Sequence, residues 1–317
     1  MNQISRRALV AAPLVFAGLP ALAQFGKKQP RVLGQDKGRV AIVDDTGKVE
    51  WDAPCPGVAH DISLLPNGNV LTQTSGSNVV EIDRATKQVV WTYEPKPKAP
   101  YDGRIEIHAF QRLPNGLTMI AETGNKRIVE VDKTGQVVHE VPLTVENPNP
   151  HRDTRLVRRL ASGNYLACHE ADGTVREYDP TGKVVWSYKL DLNNRPRTDG
   201  HDGHGTEVFG AVRLNNKNTL IAGGNNNRVI EVNPAGNIVW SLEHDELPGV
   251  RLFWVTTLEV LPNGSMIIGN THAGPNNPQL VYVSRDKKLL WQFRNFETFG
   301  NDLAAAQVLD LPKKVIR

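Results

Sequence analysis

The sequence predicts an all-β fold, a six-bladed β-propeller built from four-stranded antiparallel blades, and three observations predict it. First, a turn such as Leu65-Pro66-Asn67-Gly68-Asn69 is followed 25 residues later by a strand-ending aromatic position. That spacing runs from Pro66 to Trp91, Pro114 to His139, Ala161 to Trp186 and Asn215 to Trp240, and stretches to 29 from Pro262 to Trp291. Second, each unit divides into four short segments rich in Val, Ile, Leu and aromatics, punctuated by Asn-Gly or Thr-Gly, which is the chemistry of tight hairpins. Third, a sixth unit is split between the two ends of the chain. A single four-stranded sheet cannot bury both of its faces, whereas a ring of such sheets can, each packing on its neighbours.

The elements follow in order. Residues 1–23 read as a signal peptide: a short basic start, an apolar run from Ala8 to Pro20 too short to span a membrane, and the small-residue cleavage site Ala21-Leu22-Ala23. Ser5-Arg6-Arg7-Ala8-Leu9 looks like a twin-arginine export signal, although paired arginines also occur in Sec signals. Either route implies a bacterial periplasmic or secreted protein with no transmembrane anchor. The remaining residues, 24–317, are expected to form one propeller domain. Removing Arg6 and Arg7 leaves 35 basic against 34 acidic residues, a balance that gives no argument for nucleic acid. Cys55 and Cys168 fall in non-adjacent repeats, so two isolated thiols are expected in place of a disulfide.

Five units are complete. The sixth takes strands near Arg39–Asp45 and Lys48–Trp51 from the N-terminal side and its first strand, Ala306–Leu311, from the C-terminal side. This closure leaves no open sheet edge. Trp51, Trp91, Trp186, Trp240 and Trp291 are read as large apolar plugs between blades. Arg112, Arg159 and Arg213 recur two residues before the turn position and are read as inter-blade partners.

In such a blade the turns after strands one and three emerge on one side of the ring. The blade-to-blade connections and the turns after strand two emerge on the other. Eight of the nine histidines fall on the connection side; His139, at a Trp position, is the exception. Polar loops attract histidine whatever their function, so the bias is an indication only. Aligning the turns sharpens it. Six residues before each turn position the ring reads His60, His108, Arg155, Phe209, Thr256 and Ala306. Three consecutive blades thus supply two imidazoles and a guanidinium at the channel mouth, and the other three supply neutral groups. Imidazoles act as nucleophiles or general acid/base groups near neutral pH, and a guanidinium binds oxyanions through several donors. His60, His108 and Arg155 are therefore the candidate catalytic residues. The alternative sets both imidazoles against neighbouring backbone and Arg155 against an acidic loop residue.

Asp61 could orient an imidazole or end a turn. His151, Arg251 and Trp254, in other connections, are candidate substrate-binding residues, with Trp254 placed to stack a ring or plug the rim. The longest connection carries His201 and His204 with flanking Asp199 and Asp202, a candidate divalent-metal site without a third ligand fixed by spacing.

Two sets of segments carry a family resemblance. Asp44–Trp51 and Asp179–Trp186 resemble the docking repeat of quinoprotein-like (PQQ-like repeat) propellers. The chain has no vicinal Cys pair, so a quinone cofactor is not expected. His60–Asn69 and Val79–Asp83 resemble repeats of the bacterial arylsulfotransferase-like propellers. That resemblance implies a six-bladed periplasmic enzyme moving sulfate between phenols through a histidine nucleophile, assisted by further His and Arg near the channel. Carried onto this chain, those roles fall on His60, His108 and Arg155, without deciding which His is the nucleophile. The chain lacks room for that family's extra N-terminal domain. Two other readings stand beside it: a non-catalytic envelope propeller that binds a partner, and a metal-assisted lyase or hydrolase centred on the His201 loop.

Overall fold

The computed structural model describes residues 29–190, 208–224, 226–312 and 314–317. Among them, 24 strands form six four-stranded antiparallel sheets, and no helix is long and apolar enough to cross a membrane. Numbering from the N-terminus, blade 1 combines Ala306–Val308 with Val32–Asp36, Arg39–Val43 and Val49–Pro54. The inner strands of blades 2 to 6 are Ser63–Leu64, Ile107–Arg112, Val157–Arg159, Gly210–Arg213 and Val255–Val260. The expected closure is present. Val32 pairs with Val308, Leu33 with Gln307 and Gly34 with Ala306, and Arg31 bridges Asp310 at 2.7 Å beside this seam. Val32–Asp36 had no counterpart in the sequence reading, because Gly34, Gln35 and Asp36 give that stretch little strand character.

The core lies between blades. Six apolar clusters form, and each draws its residues from two adjacent sheets. Leu71, Phe110 and Val129 meet between blades 2 and 3, for example, and Leu33, Ile42 and Ile62 between blades 1 and 2. Burying such side chains contributes about 1.5–3 kcal/mol each, so no blade is stable without its neighbours. The outer-strand tryptophans are half-buried and do more than plug. Trp51, Trp186 and Trp240 donate their indole N–H to a carbonyl in the next blade's last turn, at 2.8, 3.1 and 3.0 Å. Arg112, Arg159 and Arg213 pair with Glu81, Glu130 and Glu177 of the preceding blade. Arg112 and Arg213 also cover Trp91 and Trp186.

On the connection face a second set of latches ties the ring. Near the ends of three second strands a side chain bonds a carbonyl leading into the next blade, Gln35 to Gly57, Gln73 to Ile107 and Thr271 to Leu303 at 2.7, 2.7 and 2.9 Å, whereas His169 bonds Asp153, in the connection that enters its own blade, at 2.9 Å. His169 is therefore part of the frame. Its Nδ1–H donates to Asp153 O, and its Nε2 accepts from Tyr178 Oη at 2.8 Å.

The axis is nearly filled. Asp61, Arg158, Glu259 and Arg317 line it with Leu156 and Ala306, and the free volume is about 20 Å³. That is little more than one water requires. Anything larger must bind at a mouth.

Candidate functional site

His60 and Arg155 precede the regular parts of their inner strands, and His108 sits where the pairing register slips between Ile107 and Ala109. Such a bulge re-aims a side chain that an even ladder would hold in the alternating pattern. The three expected residues meet. Arg155 Nη1 is 3.3 Å from His60 Nε2 and 3.3 Å from His108 Nδ1. The His60 and His108 rings are 4.5 Å apart between centroids. His151 joins from the next connection: its Nε2 is 3.5 Å from Arg155 Nη2, and its ring is edge-on to His108 at 5.5 Å.

The alternative reading holds at the same time for His108 and Arg155. His108 Nδ1 is 3.0 Å from Thr154 O, a backbone carbonyl of the adjoining blade connection. Arg155 is an ion-pair partner of Glu170 through its Nε. Arg155 is 0 % exposed and Glu170 2 %. The guanidinium therefore lies beneath the imidazoles as a buried charge, while His60 is half-buried and the His151 side chain is 46 % exposed. Burial, with Arg155 alongside, pushes the His108 imidazole down to about 4, so it is neutral at pH 7.

Glu106 completes the cluster, and the sequence reading passed over it. Its Oε2 lies 3.1 Å from His108 Nε2 and 2.7 Å from His151 Nδ1. Its Oε1 bridges Arg104 at 3.1 Å. One signal was available: residues i and i+2 of an extended segment share a face, which places Glu106 beside His108.

The other candidates separate. Asp61 turns away from the imidazoles and binds Arg158 through both oxygens, at 2.6 and 2.9 Å, while accepting from Phe110 N–H. It is a strut across the axis. Trp254 is buried, stacked on His272 at 4.6 Å and edge-on to Phe209 at 5.6 Å. Phe209 in turn lies 6.1 Å from His60. The mouth thus carries the three clustered imidazoles and Arg155 on blades 2 to 4, with Phe209, Trp254 and the His272–Asp302 pair beyond. Arg251 is exposed and outside the cluster; its backbone N–H donates to Asn277. His201 and His204 lie outside the described residues. Both cysteines are free and buried.

Several solved structures share the architecture. A protein of unknown function from Bacteroides caccae is 25 % identical, with a TM-score of 0.72 over 88 % of this chain and 98 % of that one. A streptogramin B lyase is 13 % identical, with a TM-score of 0.54 over 81 % and 76 %. Virginiamycin B lyase from Staphylococcus aureus, in a catalytically inactive form with quinupristin, is 12 % identical, with a TM-score of 0.52 over 85 % and 86 %. At such identities the two lyases share the fold and nothing finer. Among curated protein sequences none matches. The PQQ-like repeat model described as outer membrane protein assembly factor BamB matches residues 36–288, most of the chain, and the chain belongs to that family.

Proposed function

We propose that this protein is a periplasmic enzyme that transfers or cleaves an anionic group on a small aromatic substrate at the connection-side mouth of the ring. One observation carries the reading: imidazoles from His60, His108 and His151 all lie within 3.3–3.5 Å of the buried Arg155 guanidinium. Stability alone is a poor reason for this arrangement. A buried ion pair costs several kcal/mol of desolvation per ion and is often replaceable by apolar packing without loss. Convergent titratable groups at a mouth are, by contrast, what acid–base and nucleophilic chemistry requires.

The division of labour follows from exposure. His108 is buried with both nitrogens engaged, so it positions other groups. His60 and His151 reach solvent and are the imidazoles that can meet a substrate. Arg155 and Arg104 favour a negative charge there, and the buried Phe209 and Trp254 back the far side of the mouth with aromatic packing. An aryl sulfate matches this pairing. In that case a neutral His60 nitrogen bonds to sulfur as the aryl O–S bond breaks, and the departing phenolate takes a proton from water. The oxygen of an acceptor phenol then bonds to sulfur as the N–S bond breaks, its proton passes to the hydroxide so formed, and neutral His60 is regenerated.

The test uses 4-nitrophenyl sulfate as donor and phenol as acceptor. Acceptor-dependent release of 4-nitrophenol by the wild type, reduced at least 100-fold in His60→Ala, is expected. Absence of turnover by folded wild type, or full activity in His60→Ala, would sink the reading.

A further inference from the structure

We propose that Glu106, His108 and His151 form a binding site for one divalent transition-metal ion, with zinc as the natural probe. The proposal deepens the reading above by adding a cation to the same mouth. It is distinct from the His201 and His204 pair considered from the sequence.

One ligand atom from each of these three residues lies within 4.8 Å of the others. The closer distances are 3.1 Å from Glu106 Oε2 to His108 Nε2 and 2.7 Å to His151 Nδ1. Zinc bound at about 2.1 Å in tetrahedral geometry separates its ligands by about 3.4 Å, so small side-chain adjustments suffice. Two imidazoles and one carboxylate are a ligand set that suits zinc and leaves a coordination position open for a water or a substrate oxygen.

The hydrogen bonding at His108 supports this independently. A carbonyl oxygen only accepts, so the 3.0 Å contact to Thr154 O places the ring proton on Nδ1. In a neutral ring Nε2 then carries a lone pair, and it points at a carboxylate oxygen 3.1 Å away. The ring nitrogen and the carboxylate oxygen face each other inside the protein, because His108 and Glu106 are both buried, with Arg155 Nη1 also 3.4 Å from Nε2 and His151 Nδ1 also 2.7 Å from Oε2. A cation between them satisfies both. Binding through one ring nitrogen while the other N–H is held by a backbone carbonyl is the usual outer-shell arrangement for a metal-bound histidine.

The local charges are compatible. Among the described residues, Arg155 pairs with Glu170 and Arg104 with Glu106, two guanidiniums against two carboxylates. A divalent ion would leave a net charge of about two plus, matched to an anionic substrate or a bound hydroxide. The exposed side of the cluster is His151, which gives the ion its way in.

The test needs no substrate. Full-length protein is stripped with a chelator, then titrated with cobalt(II) and zinc(II). One equivalent of cobalt is expected, with visible absorption bands of a low-coordinate site that zinc abolishes. Glu106→Gln and His151→Gln should each weaken binding at least tenfold, and the double variant His201→Gln/His204→Gln should bind as wild type does. His151 lies on an exposed connection, so its variant reports binding without disturbing the core. No stoichiometric binding by folded wild type would overturn the proposal. So would wild-type affinity in Glu106→Gln or His151→Gln, or loss of binding only in the double variant. Sulfate transfer is not part of the readout, so either idea can fail while the other stands.

Discussion

Arg155 Nη1 lies 3.3 Å from His60 Nε2 although 95 positions separate the two residues. Two blade boundaries lie between them, so the contact exists only in the closed ring. Among the described residues, the charge beneath His60 is paired with Glu170. Arg155→Met should therefore strand a buried carboxylate and destabilise the protein by about 3–5 kcal/mol. Adding Glu170→Gln should return most of that loss in a urea unfolding experiment. Aryl sulfate turnover should stay abolished in both. A double variant that is stable and active would reduce the guanidinium to half of an ion pair.

His169 makes a prediction about pH. Burial, the largest influence, lowers its imidazole to about 4, with Arg176 adding to the effect and the bond to Asp153 and the charge of Asp172 opposing it. The unfolded chain takes up this proton near pH 6.5. Between about pH 6.5 and 4 the unfolded state binds more protons, so stability falls as pH falls. Above pH 6.5 the latch contributes fully. The lowering corresponds to roughly 3 kcal/mol at most. Unfolding free energies of wild type and His169→Gln, measured from pH 7.5 to 4, should converge as the solution is acidified. A gap independent of pH would mean that the buried ring is not held neutral.

The ring was legible in the sequence because its units repeat a fixed turn-to-aromatic spacing and because the two chain ends were each missing what the other supplied. The meeting of His60, His108 and Arg155 was legible too, since equivalent positions on inner strands must surround one axis. What escaped depended on local irregularity. Glu106 lies just ahead of its strand and gains its role from the register slip at His108, which periodicity cannot show. His169 shares the connection face with the site histidines but belongs to the frame. Its bonds to Asp153 O and Tyr178 Oη show it to be a structural latch. Asp61 follows His60 in sequence, yet Arg158 claims its carboxylate, a choice made by packing across the axis.

The cysteines offer a check on the packing. Cys55 and Cys168 are free, and both sit in inter-blade clusters. Burial pushes the Cys55 thiol up to about 12 and raises Cys168 further. The reactive species is the thiolate, and neither thiol forms it or meets solvent in the folded ring. A chromogenic disulfide reagent should find no thiol in native protein and two after denaturation. Fast labelling at either position in the native state would show that the inter-blade contacts there open readily.

The close approach of neighbouring blades can be measured with two glycines that have the same backbone conformation. Gly47 and Gly182 occupy equivalent turns before the outer strand, with φ of +85° and +89°. A Cβ at Gly47 would meet nothing within 4 Å, whereas one at Gly182 would lie 2.6 Å from Pro142 Cγ and 2.8 Å from Pro142 O. Pro142 ends the outer strand of blade 3, and Gly182 belongs to blade 4. Gly47→Ala should cost about 1–2 kcal/mol, the penalty for a side chain in a left-handed conformation. Gly182→Ala carries that same penalty and must also push two blades apart, which adds about 1–3 kcal/mol of overpacking. Because the backbone term is common to both, the difference between the two unfolding free energies isolates the contact between blades. Equal losses would show that the seam between blades 3 and 4 yields to a methyl group without strain.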